Sequence, residues 1–193
     1  PIGEMEKSDV RQVAEEFHLP VFNKPDSQEI CFVPDNDYAR LVRQRSPDKF
    51  AVGDIVDGDG QVVGQHEGQQ HFTIGQRRGV GVALGYPIYV VDKDPQTNTV
   101  TVGTKDDLLS VGCTASQTNW LVDDVPRDHW RPCGVKVRYN SDPTPAKVRA
   151  ASDDQLEVQF DQPISAVSPG QAVVCYDDEV VLGGGWIDAA VKA

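Results

Sequence analysis

The 193-residue chain is 39% hydrophobic and 25% charged, with 17 glycines and 13 prolines, a turn-rich composition whose apolar content supplies ordinary cores for one medium domain or two to three small ones. No apolar run approaches the ~20 residues of a membrane helix, so a membrane-spanning role is not expected. A net charge of −12 argues, taken alone, against nucleic acid, but the cations are clustered, as Arg40, Arg43 and Arg45, as Arg77 and Arg78, and as Lys136, Arg138, Lys147 and Arg149.

The opening PIGEMEKSDV has no basic start and no apolar stretch, so it does not read as a signal peptide. It lacks an initiator Met, which fits a processed chain or a fragment of something longer. Ser8 is placed to cap a first helix, with Asp9 at its positive end. Val10, Val13, Ala14 and Phe17 recur at i, i+3, i+4 and i+7, and Pro20 stops the pattern. A loop, NKPDSQE, leads into the short apolar run ICFV, closed by Pro34. A second short helix is expected from Asp37 to Arg45, ended by Pro47.

Beyond Pro47 helical periodicity disappears. GDIV and QVVG around the turn DGDG read as a hairpin. His71–Ile74, Pro87–Asp92 and Thr99–Gly103 read as further strands, the last two joined by the turn DPQTN. Five later runs, Thr118–Val122, Cys133–Tyr139, Thr144–Ala150, Gln155–Phe160 and Ala172–Tyr176, are followed by Val180–Leu182, three glycines and Trp186-Ile187. Evenly spaced short strands with turn signals point to a closed barrel or a sandwich, and on their spacing a barrel of about six strands is expected. The expected architecture is mainly β: a short helical segment (1–47), a small β-rich domain (48–112) and a C-terminal β-barrel (113–193).

Few residues carry chemistry by spacing alone. GVGVALG has the wrong spacing for a dinucleotide loop and reads as a glycine-rich strand or turn. HEGQQH separates its histidines by five positions across Gly68, so a helical zinc motif is not formed and solvated turn histidines are expected. In TIGQRRG, Gln76, Arg77 and Arg78 put several donors on a glycine-bracketed bend, suited either to phosphate and base contacts or to a solvated turn. The four cysteines form no CxxC. Cys113, Cys133 and Cys175 sit in β runs and read as structural. Cys31 is either a packed core thiol or a reactive one; Lys24 would lower its pKa and the carboxylates of Asp26 and Glu29 would raise it.

The blocks KPDSQEICFVPDNDY, GDIVDGDGQVVGQHEGQQHFTIGQRRGVGV, PIYVVDKDPQTNTVTVG and AVSPGQAVVCYDDEVVLGGGWI resemble, in order and spacing, the tRNA-specific 2-thiouridylase family over nearly the whole chain. The resemblance implies the central domain and C-terminal barrel of such an enzyme, plus the tip of its ATP-pyrophosphatase domain. It implies tRNA as partner, a persulfide-carrying sulfur-donor protein, a cytoplasmic location, and no DNA, membrane or metal. No SGGxDS-type loop is present, so ATP (with Mg) is expected to belong to a domain this chain lacks, and no cofactor is expected here. In the family, ATP adenylates the C2 oxygen of the wobble uridine, a persulfide sulfur attacks C2, and AMP leaves. The matching position makes Cys31 the second catalytic cysteine, which attacks the persulfide and is left in a disulfide with an upstream cysteine. It makes Arg77 and Arg78, with Gln76, tRNA contacts. An older family label refers to a methyltransferase, yet nothing in the chain suggests a methyl-donor site. Alone, the chain is expected to be inactive. The rival reading is a stand-alone β-barrel module that grips RNA or a protein, with Cys31 merely buried.

Overall fold

The computed structural model describes residues 2–24, 38–45 and 50–193. Contacts divide the chain into two compact units, 1–45 and 46–193. No helix among the described residues is long and apolar enough to cross a membrane.

The first unit holds helices α1 (Lys7–Glu16) and α2 (Tyr38–Arg45). Glu6, not Ser8, stands at the N-cap of α1, and its N–H donates to Asp9 Oδ2 at 3.2 Å. Ser8 lies too far in to cap, because the chain is already helical at Lys7. The helix closes before Pro20: His18 adopts φ 52°, and the N–H groups of His18 and Leu19 return to Glu15 O and Ala14 O. That left-handed closure satisfies the last carbonyls locally. The apolar face stays uncovered within this unit, with Phe17 74% exposed and no residue of α1 buried. The expected start of the second helix, Asp37, lies outside the described residues.

The second unit contains two β systems. β1 (Gly53–Val56), β2 (Val62–His66), β3 (Tyr89–Asp94) and β4 (Thr99–Gly103) form a four-stranded sheet in the order β2-β1-β4-β3. The hairpin β1–β2 turns on Asp57, whose Oδ1 accepts from the N–H groups of Asp59 and Gln61 at 3.0 and 2.9 Å. β1 also pairs in parallel with β4, through Ile55 and Val100. Ile55, Phe72, Val80, Ile88, Val90, Val100 and Val102 form the core of this sheet. His71–Ile74, expected as a strand, is instead the end of a short 3-10 turn (Gln69–His71) and irregular chain. Phe72 is the apolar signal there, and it is buried as a plug on the sheet rather than as a ladder residue.

β5 (Leu109–Trp120), β6 (Arg131–Lys136), β7 (Thr144–Ala150), β8 (Gln155–Ser165), β9 (Ala172–Asp177) and β10 (Val180–Lys192) close a six-stranded barrel in the order β10-β5-β8-β7-β6-β9. Its interior is filled by alternate residues such as Ala115, Val148, Leu156, Val173, Leu182 and Ile187. The glycine triplet 183–185 lies inside β10. A Cβ on Gly184 would sit 2.3 Å from Val173 O, and one on Gly185 2.7 Å from Ser116 O. Glycine is needed because β10 is squeezed between β5 and β9 where it closes the barrel.

The sheet and barrel meet through Val91, Leu108 and Ala166, with Ile74 and Tyr89 packed against them. Lys192 Nζ donates to Val91 O and Asp107 O across the same seam.

Candidate functional site

The segment Thr73–Gly79 is a tightly held turn. Gly75 N–H donates to Val90 O at 2.8 Å, and Val90 N–H returns to Gln76 O at 2.9 Å, fastening the turn to β3. Inside it, Thr73 N–H donates to Gln76 Oε1 and Gln76 Nε2 to Arg78 O, both at 2.9 Å. Gln76, expected to bond a base or ribose, thus has both ends of its amide occupied in holding the backbone. Gly75 and Gly79 take φ 88° and 70°, conformations that glycine adopts at little cost. A Cβ on Gly75 would come within 3.2 Å of Ala166 Cβ, so the turn rests on the barrel as well as the sheet. The sequence singles out the bend but not its supports, Val90 and Ala166; the bracketing glycines are its only local trace.

Arg77 and Arg78 project from this fixed backbone, without a side-chain hydrogen-bond or ion-pair partner among the described residues. Arg77 borders an open cleft of about 430 Å³ walled by Val82–Ile88, where Tyr86 is 50% exposed. Two free guanidinium forks on a pinned turn suit phosphate oxygens, since only the side chains remain to be ordered.

Arg138 and Arg149, of the third cationic cluster, are engaged internally. Arg149 holds Glu157 through Nε at 3.2 Å and stacks with its guanidinium carbon 4.7 Å from the Trp130 ring centroid. Arg138 Nη2 donates to the carbonyls of Ser165 and Ala166 at 3.0 and 2.6 Å. Lys136 and Lys147 carry no such partner among the described residues.

Among the described residues no group of three or more His, Cys, Asp and Glu side chains is placed to hold a metal ion. His66 is buried rather than solvated. Its Nδ1 accepts from Gly68 N–H at 3.0 Å, so Nε2 carries the proton and donates to Asn98 O at 3.1 Å. Burial lowers its pKa below the ordinary value of 6.5, and the ring serves as a neutral strut between β2 and the β3–β4 turn.

Cys31 lies outside the described residues, as do Asp26 and Glu29. The barrel cysteines are free thiols. Burial pushes the Cys113 thiol up to about 12. Cys175 donates to Cys133, which raises Cys175 and lowers Cys133.

Three family models match the chain in succession: a tRNA methyl transferase HUP domain over residues 1–35, a tRNA methyl transferase PRC-barrel domain over 41–104, and an aminomethyltransferase beta-barrel domain over 110–187. The chain is 43% identical over 187 residues to the tRNA-specific 2-thiouridylase MnmA of Halothermothrix orenii, covering 97% of this chain and 52% of that protein. It is 45% identical over 191 residues to that of Geobacter metallireducens (99% and 51%), and 47% identical over 191 residues to that of Salinibacter ruber (97% and 50%). The chain therefore spans about half the length of the curated relatives it matches.

Proposed function

Because the chain belongs to the tRNA-specific 2-thiouridylase family, we propose that it is the tRNA-positioning half of such an enzyme and carries the second of its two catalytic cysteines. The observation that supports this reading best is the pinned turn Thr73–Gly79. Its backbone is held by Gln76 and by β3, while Arg77 and Arg78 have no side-chain partner among the described residues and are available to an anion. In this reading the two arginines hold tRNA phosphates, and Gln76 fixes the bend that aims them.

The chemistry assigned to Cys31 rests on its place in DSQEICF. An upstream cysteine persulfide delivers its outer sulfur to C2 of the adenylated wobble uridine, and AMP departs with the C2 oxygen. The Cys31 thiolate attacks the inner sulfur of the persulfide, releasing the transferred sulfur and forming a disulfide between the two cysteines. An external thiol then reduces that disulfide for the next turnover. The ATP and magnesium this requires call for a phosphate loop, and the sequence contains none of the SGGxDS type. We assign both to the part of the enzyme upstream of this region, and the sulfur to a persulfide-carrying donor protein.

The test is thiolation of a tRNA transcript by the full-length enzyme with ATP and a sulfur donor. Cys31→Ser is expected to abolish product while leaving tRNA affinity intact. Arg77→Glu with Arg78→Glu is expected to weaken tRNA binding. Thiolation by this chain alone, or unchanged affinity in the double reversal, would overturn the assignment.

A further inference from the structure

At the end of β6 the barrel wall opens into a cleft of about 630 Å³, between Lys136–Asn140 on one side and Gln171, Ala172, Val174 and Tyr176 from the edge of β9 on the other. Tyr139 stands at its rim, 95% exposed. The turn that carries it is not loose. Arg138 is bonded to the carbonyls of Ser165 and Ala166, and both the N–H and the hydroxyl of Ser141 donate to Arg138 O, at 3.4 and 2.9 Å. The aromatic ring is therefore held out into solvent on an anchored backbone. Lys136, which also lines the cleft, is half-buried and without a partner among the described residues. Ala166, which receives Arg138, is also the residue against which Gly75 packs, so the cleft and the arginine turn share one support.

We infer that this cleft is a stacking subsite for one unpaired nucleotide of the tRNA, its base on the Tyr139 ring and its phosphate on Lys136. The inference rests on the tRNA reading given above and adds a second, chemically different contact to it. A preplaced aromatic face beside a cation is the combination that holds single-stranded bases, whatever their identity. The lysine is unpaired on a chain whose net charge is −12, so its local complementarity is to an anion.

The experiment measures binding of an unmodified tRNA transcript and of a fully paired RNA duplex of equal length to the full-length enzyme, across a salt series. Tyr139→Ala is expected to weaken tRNA binding roughly five- to a hundred-fold with little change for the duplex, and Tyr139→Phe to bind like the parent. Because Tyr139 is exposed, neither substitution should move the unfolding midpoint. Lys136→Gln is expected to flatten the log K against log salt slope by about 0.7, the value for one single-strand phosphate. If Tyr139→Ala leaves tRNA affinity unchanged while the Arg77 and Arg78 reversals still weaken it, the subsite is wrong and the tRNA reading stands. If the parent enzyme binds tRNA no better than the duplex, and the reversals change nothing, both fall. If Tyr139→Ala spares tRNA binding but blocks sulfur delivery by a donor protein, the cleft is a protein contact and the inference is overturned.

Discussion

His66 illustrates how a residue that looks solvated in sequence can become a strut. Folding places it where its neutral form is bonded at both nitrogens, and burial lowers its pKa. The unfolded chain therefore binds a proton more readily than the folded one, and stability present above the unfolded pKa, about 6.5, falls as the pH drops below it. Urea unfolding is expected to show a lower midpoint at about pH 5.5 than at about pH 7.5, with a shallower dependence in His66→Gln. Gln76 makes a related point. Gln76→Ala removes no charge, yet it frees Thr73 N–H and Arg78 O, so tRNA affinity should fall while the salt slope stays that of the parent. Thiol labelling belongs at the same scale. Cys113 and Cys175, both buried and with raised pKa, are the proper slow references for Cys31, whereas the lowered pKa of Cys133 makes it a poor one. At neutral pH, Cys31 in the folded chain is expected to alkylate faster than Cys113; an equal rate would remove the case for an activated thiol.

Among the elements, those with a strong period are legible in the sequence. Thr144–Ala150 is a strand over the residues expected, and the hairpin about DGDG forms as the turn residues dictate. What is not legible depends on distant partners. Phe72 reads as part of a strand, but its apolar signal comes from plugging the sheet core. The glycines 183–185 carry no strand signal of their own, but they sit in the strand because neighbouring carbonyls leave no room for a Cβ. Arg138 and Arg149 look as available in sequence as Arg77 and Arg78; only the fold shows that carbonyls and a Glu–Trp pair engage them. The bend at GQRRG is visible from its glycines, while Cys31 is assigned only through the resemblance of its surrounding block. Gly184→Ala tests the packing account directly. The added methyl meets Val173 O, and a loss on the order of 2–3 kcal/mol is expected in chemical denaturation, without a change in the strand content seen by circular dichroism at low denaturant.

For the molecule as a whole, if the proposed tRNA binding holds, a chain of net charge −12 must bind through local cationic features against a repulsive background. Affinity for tRNA is then expected to fall steeply with salt, and the double reversal at Arg77 and Arg78 to flatten that slope by about two phosphates' worth, roughly 1.4 to 1.8. The barrel adds a constraint of another kind. Its first strand, β5, and its last, β10, lie side by side, so the ring is joined between its two most distant segments. During synthesis on the ribosome, β5 is complete at Trp120, while the strand that closes the ring begins only at Val180. Until β10 has been made and has cleared the exit tunnel, β5 and β9 each present an open edge, the kind of edge through which unfinished chains pair with their neighbours.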